Sequence, residues 1–182
     1  MKNFHTVFLS IVLLISNSCI EENRQNTTPE PLAITTFYLI RHAEKDRTDP
    51  GNSDPELNQK GMGRAMHWAE IFNDVPLDAI YSTDFERTEM TAAPTAIKKD
   101  ILVQYYDPKS LDVVNFLREN RGKRVLIVGH SNTTPDLVNK LIGESNRFHD
   151  MDDEDNGSLF LVQLIGNQSN VTRLHINCNC PE

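Results

Sequence analysis

From Ile34 onward, short apolar runs alternate with longer amphipathic ones, and this alternation constrains the fold more than any other feature of the sequence. The short runs read as strands at residues 36–40, 79–81, 101–105, 125–128, 159–164 and 171–176. Apolar residues at helical spacing predict helices over 58–72, 85–98, 111–120 and 135–142, with Asn58 placed as an N-cap and Gly122 just past a helix end. Trp68 and Phe72 share a helical face with Ala65 and Ala69 and read as core. Strand–helix alternation of this kind predicts a three-layer α/β/α domain around a mostly parallel sheet. Ligands of such sheets bind beyond the carboxyl ends of the strands, so the residues that follow each strand carry the functional information.

The segment before this pattern is of another kind. Lys2 precedes an apolar run from Val7 to Ile15 that is too short to cross a membrane and reads as an export signal. It ends at Ser16-Asn17-Ser18-Cys19, which resembles the lipobox of bacterial lipoproteins and makes Cys19 the candidate for acylation; the alternative is an ordinary cleaved signal. The expected organisation is a signal peptide over 1–18, a polar flexible tether over 19–33 and a single domain over 34–182. The expected location is outside the cytoplasm, either anchored to a membrane by lipid or secreted.

The chain carries 18 Lys and Arg against 26 Asp and Glu, a formal net charge of −8. That balance argues against nucleic acid as a partner, because no cationic surplus is available to displace phosphate counterions. An anionic ligand must be drawn in by a local basic pocket.

Such a pocket is visible at the strand ends. Arg41-His42-Ala43-Glu44-Lys45 follows the first strand. Ser82-Thr83-Asp84 follows the second, with Arg87-Thr88 one turn into the next helix, and Gly129-His130-Ser131-Asn132 follows the fourth. Two histidines and two arginines thus converge on one sheet edge. These segments, together with Leu57-Asn58-Gln59-Lys60-Gly61, resemble the motifs of the histidine phosphatase superfamily, the phosphoglycerate-mutase-like proteins, in order and spacing, with Ala43 where the family has glycine.

The resemblance implies a phosphatase that acts on a phosphomonoester or phosphoramidate through a phosphohistidine, with His42 as nucleophile and neither metal nor other cofactor. Arg41 and Arg87 are the phosphate-binding candidates, with His130 as a further donor when protonated and Asn132 as a possible holder of a substrate oxygen or a turn residue. Neutral imidazole is nucleophilic near pH 7 without a helper base. For protonating the leaving group, Asp107 in Tyr105-Tyr106-Asp107-Pro108 is the first candidate, followed by Glu44 and Asp84; Asp107 reads equally well as a turn residue. A small phosphorylated molecule or a phosphoprotein is the expected partner, and a membrane is expected only through the lipid.

Two other functions compete. Gly129-His130-Ser131-Asn132-Thr133 resembles the nucleophile elbow of α/β-hydrolases, which would make Ser131 an esterase nucleophile, although Thr133 stands where that motif has glycine. A pocket that binds a phosphorylated ligand without turnover is the other. The acidic run from Asp150 to Asp155 partly follows a calcium loop, but Gln163 occupies the place of the bidentate glutamate, and a solvated acidic loop is the expectation. Cys178 and Cys180 are too close in sequence for a zinc site. A disulfide between them is permitted in an exported chain but strained, which leaves free thiols or an intermolecular bond open.

Overall fold

A computed structural model describes residues 33–180. The signal segment, nearly all of the tether and Cys19 lie outside the described residues. The elements run β1 (Ile34–Arg41), α1 (Gln59–Ile71), β2 (Ala79–Ser82), α2 (Glu86–Lys99), β3 (Val103–Tyr105), α3 (Val113–Glu119), β4 (Arg124–Gly129), α4 (Thr133–Ile142), β5 (Ser158–Ile165) and β6 (Gln168–His175).

The six strands form one sheet in the order β3-β2-β4-β1-β5-β6. The pairs β2–β3, β2–β4 and β1–β4 are parallel, whereas β1–β5 and β5–β6 are antiparallel. Side chains alternate across the pleat, and the central strands are apolar on both faces. On one face Phe37, Leu39, Val125 and Ile127 pack with Phe116 of α3 and Leu137, Val138 and Leu141 of α4. On the other, Ile40, Ile80, Leu126 and Val128 pack with Trp68 of α1, Phe72 just past it, and Ala92 and Ala96 of α2. The result is the expected α/β/α layering, with β1 and β4 at its centre.

Helix ends follow local chemistry. The Asn58 side chain accepts a hydrogen bond from the Gly61 amide at 2.8 Å, capping α1 as expected. Asp112 caps α3 in the same way, accepting from the Asn115 amide, so this helix starts two residues later than expected. Helix α2 has no cap of its own at Phe85. Instead Asp54, from the loop before α1, accepts from the Glu86 amide at 3.1 Å.

The strands differ from expectation at the two sheet edges. β3 begins at Val103, because Leu102 is left 89% exposed and joins no ladder. β6 begins at Gln168, not Val171, because its polar residues Gln168, Ser169 and Asn170 pair with β5 across a turn where Gly166 takes φ of 57°. Cys178 and Cys180 are joined as a disulfide.

Candidate active site

Four segments converge beyond the carboxyl ends of β1, β2, β3 and β4 and, with Asp153, line a cavity of about 530 Å³ that holds Arg41, His42, Arg87 and His130 together. The register accounts for the meeting: Arg41 pairs with Gly129 and Ser82 with Val128, so the residues that leave these strands emerge side by side. The rings of His42 and His130 stand 5.4 Å apart, centroid to centroid, and steeply inclined.

His42 is almost fully buried and held at three points. Its amide donates to the Gly129 carbonyl at 2.9 Å, its carbonyl accepts from Asn156 Nδ2 at 2.8 Å, and its Nδ1 lies 2.7 Å from the Ala43 carbonyl. A carbonyl only accepts, so Nδ1 carries the proton and Nε2 keeps its lone pair. Burial, reinforced by Arg41, His130 and Arg87, lowers the His42 pKa to about 3 despite the Ala43 bond, so the ring is neutral at pH 7. The Ala43 amide is fixed in turn by Thr91 Oγ1 of α2 at 2.9 Å.

His130 is also neutral. Burial and then the fields of Arg87 and Arg41 lower its pKa to about 4, which removes the protonated form considered from sequence in the free protein. Its Nε2 lies 2.9 Å from Thr83 Oγ1; that hydroxyl donates to Thr88 Oγ1, which has the Thr83 and Phe85 carbonyls as acceptors. Each hydroxyl has one proton, so the chain closes only if His130 Nε2–H is the donor at its head. Thr83, Thr88, Thr91 and Asn156 support both histidines. The first three lie within or beside quoted segments but carry no chemical signal of their own, and Asn156 is more than 100 residues from the ring it steadies.

The guanidiniums are only partly committed. Arg41, 2% exposed, spends Nη1 on the carbonyls of Asp152 and Asp153 and one Nη2 bond on the Asp153 carboxylate, all at 2.8 Å. Of its five donors, Nε–H and one on Nη2 remain, and buried Nε has no partner among the described residues. Arg87 donates from Nη1 to Asp54 at 3.0 Å, lies 4.4 Å above the Phe85 ring, and likewise leaves Nε without a partner. Buried donors in this state favour an anion that arrives with several acceptor oxygens.

Other candidates occupy different roles. Asp107 is on the cavity rim, exposed, and its oxygens accept from the Lys109 amide and the Ser110 hydroxyl at 2.9 Å. These bonds hold its carboxyl below the usual range and fix it in a turn, ionised and without a proton to give at pH 7. Glu44 is half-buried in a forked pair with Arg64 at 2.7 to 3.0 Å, and Asp84 is exposed and does not line the cavity. Asn132 is the N-cap of α4, accepting from the Thr133 amide, with its side chain on the cavity wall. Ser131 also lines the cavity, but its hydroxyl makes no hydrogen bond to a histidine among the described residues, which leaves the esterase reading without a base. In the acidic loop, Asp153 serves Arg41 and Arg47, while Asp155 serves Ser158 and Arg173.

Residues 37–108 match the model of the histidine phosphatase superfamily, branch 1, over the segment that carries Arg41, His42, Arg87 and Asp107. That match covers less than half of the chain and is what the chain is similar to at the level of sequence. A curated relative in the same range of likeness, phosphoserine phosphatase 1 of Hydrogenobacter thermophilus, is 32% identical over 74 residues, which are 38% of this chain and 35% of that protein. The match thus spans about a third of the relative's length.

Solved structures of histidine phosphatases share the fold over more of the chain. A mycobacterial glucosyl-3-phosphoglycerate phosphatase in complex with VO3 superposes with a TM-score of 0.65 at 14% identity, covering 79% of this chain and 100% of that one. YhfR of Bacillus stearothermophilus gives 0.60 at 18%, covering 79% and 98%. The protein histidine phosphatase SixA in complex with tungstate gives 0.60 at 15%, covering 77% and 96%. At these identities the likeness establishes the fold.

Proposed function

We propose that the chain is a histidine phosphatase of that superfamily and hydrolyses a phosphomonoester or phosphoramidate through a phosphohistidine on His42. The observation that carries the reading is the 2.7 Å contact of His42 Nδ1 with the Ala43 carbonyl, which leaves Nε2 as an unprotonated nucleophile beside two partly unsatisfied arginines. Nε2 attacks phosphorus, an N–P bond forms, and the bond from phosphorus to the leaving oxygen or nitrogen breaks on the opposite side. Arg41 and Arg87 hold the equatorial oxygens, whose charge rises in the transition state. Water then attacks the phosphohistidine, releasing inorganic phosphate and restoring neutral His42.

Among the described residues no carboxyl group raised toward neutrality lines the cavity, and Asp107 is held ionised. Leaving groups that depart with little protonation, aryl oxides and imidazole among them, are therefore the favoured substrates, and alkyl esters the slow ones. The relatives named as phosphatases of phosphoserine, glucosyl-3-phosphoglycerate and phosphohistidine support the reaction class, and the substrate of this chain is a small phosphate ester or a phosphoprotein met outside the cytoplasm. Export and tethering through Cys19 belong to the same proposal. Among the described residues no helix is long and apolar enough to cross a membrane.

The test is hydrolysis of an aryl phosphate by wild type, His42→Ala and Ser131→Ala, with acid-labile phosphate sought on His42 after rapid quenching. Loss in His42→Ala with activity kept in Ser131→Ala is expected; the reverse would falsify the mechanism. Recovery of Cys19→Ala protein in the membrane fraction would remove the anchor.

A further inference from the structure

A second cavity, of about 600 Å³, adjoins the catalytic one, and the two share Lys45 and Asp153 as lining residues. Nothing in phosphoryl transfer calls for it, because Arg41, Arg87 and the two histidines already stand in the first. We infer that it is a second anion subsite, and that the substrate is a phosphate compound whose leaving group carries another negative group, a carboxylate or a second phosphate. The inference rests on the phosphatase reading for its first cavity and adds the class of leaving group.

Charge is the main argument. Lys45, Arg47, Lys60 and Arg64 line this cavity together with the acids Glu44, Asp153 and Glu154. Glu44 is consumed by Arg64, which grips it with Nε and Nη2. Asp153 is divided between Arg47 at 2.8 Å and Arg41 of the catalytic cavity at 2.8 Å. Lys45 and Lys60 have no carboxylate within ion-pair distance among the described residues, and only exposed Glu154 is left to answer them. The lining thus carries more cations than acids in a chain whose net charge is −8. A cleft lined by that sign of charge raises the local concentration of small anions.

Placement is the second argument. The backbone of Lys45 is fixed at the junction: it bridges to Leu57, and its carbonyl accepts from Asn58 Nδ2 at 3.4 Å. Burial and the neighbouring Arg47 and Arg87 lower its pKa, the strain of one cation among others that an anion relieves. It stands at the junction, able to face a phosphate on His42 and a second anion on Lys60 and Arg47 together. A ligand spanning both cavities meets cations along its whole length.

The experiment reads binding and turnover separately. Binding is measured by calorimetry on the His42→Ala variant, which cannot be phosphorylated at residue 42, with two matched pairs: phenyl phosphate against 4-carboxyphenyl phosphate, and a hexose 6-phosphate against the 1,6-bisphosphate. The anionic member of at least one pair should bind about tenfold tighter at low salt. The carboxylate and bisphosphate arms show which anion is preferred. Adding Lys60→Gln should remove most of that preference while leaving phenyl phosphate binding unchanged, and Lys60→Arg should restore it. Equal binding within both pairs, or a preference untouched by both Lys60→Gln and Arg47→Gln, overturns the subsite. Hydrolysis of phenyl phosphate by the wild type is scored independently, so failure of the phosphatase reading and failure of the subsite give different results.

Discussion

A neutral imidazole has one proton to place, and in His42 the Ala43 carbonyl claims it at Nδ1. The consequence is measurable by NMR titration: both His42 and His130 should stay neutral until the pH falls below about 5, since their pKa values lie near 3 and 4. A midpoint near 6.5 for either would contradict the burial and cationic fields described. Thr83→Val removes the acceptor from His130 Nε2 and should lower kcat/KM by roughly tenfold, the cost of a buried donor left unpaired. As Thr83 positions the ring without touching substrate, Thr83→Ser should recover most of the loss and the His130 titration should shift in Thr83→Val only. Asp107→Asn, by contrast, should leave aryl phosphate hydrolysis nearly unchanged. At this scale the sequence exposed the groups with chemical character, Arg41, His42, Arg87 and His130. It hid the residues that only hold them, because a threonine or asparagine used as a support has the same signature as one on any surface.

Local pattern carried the elements well where an apolar face and a cap coincide, as in α1 with Asn58, and poorly where partners are remote. Asp54 capping α2 from another loop has no local signal, and β6 is too polar at its start to show the period of a half-buried strand. Gly61 shows why local propensity alone misleads. Alanine in a helix interior is ordinarily better than glycine by up to about 1 kcal/mol, yet a Cβ at Gly61 would stand 2.1 Å from the Glu44 carbonyl oxygen. Gly61→Ala should therefore destabilise the protein and, by pushing on the segment that carries His42, reduce activity further. Urea unfolding with an unchanged m-value checks the first effect, and kcat/KM under folding conditions the second. Asn58→Ala should cost about 1 kcal/mol by the same measurement.

The charge of the whole molecule is unevenly spread. The surface balance is acidic, while two adjoining cavities gather Arg41, Lys45, Arg47, Lys60 and Arg87. Stability should follow from the same arrangement. The two histidines bind protons in the unfolded chain below about pH 6.5 but not in the folded one until about 4, so the unfolded state holds more protons in that window and stability falls as pH drops through it. Glu44, lowered by Arg64 against its own burial, acts in the same direction at more acid pH. The urea midpoint should thus be lower at pH 5 than at pH 7.5, and saturating inorganic phosphate should raise it at pH 7.5.

Arg41 and His42 each lean on residues far along the chain, Asp153 and Asn156, at separations of 112 and 114 positions. During synthesis at roughly 5–20 residues per second, His42 leaves the ribosome several seconds or more before the groups that hold it. The nascent chain is therefore unarmed until then, and a chain truncated between Asn132 and Asp153 should carry Arg41, His42, Arg87 and His130 and yet have no working site.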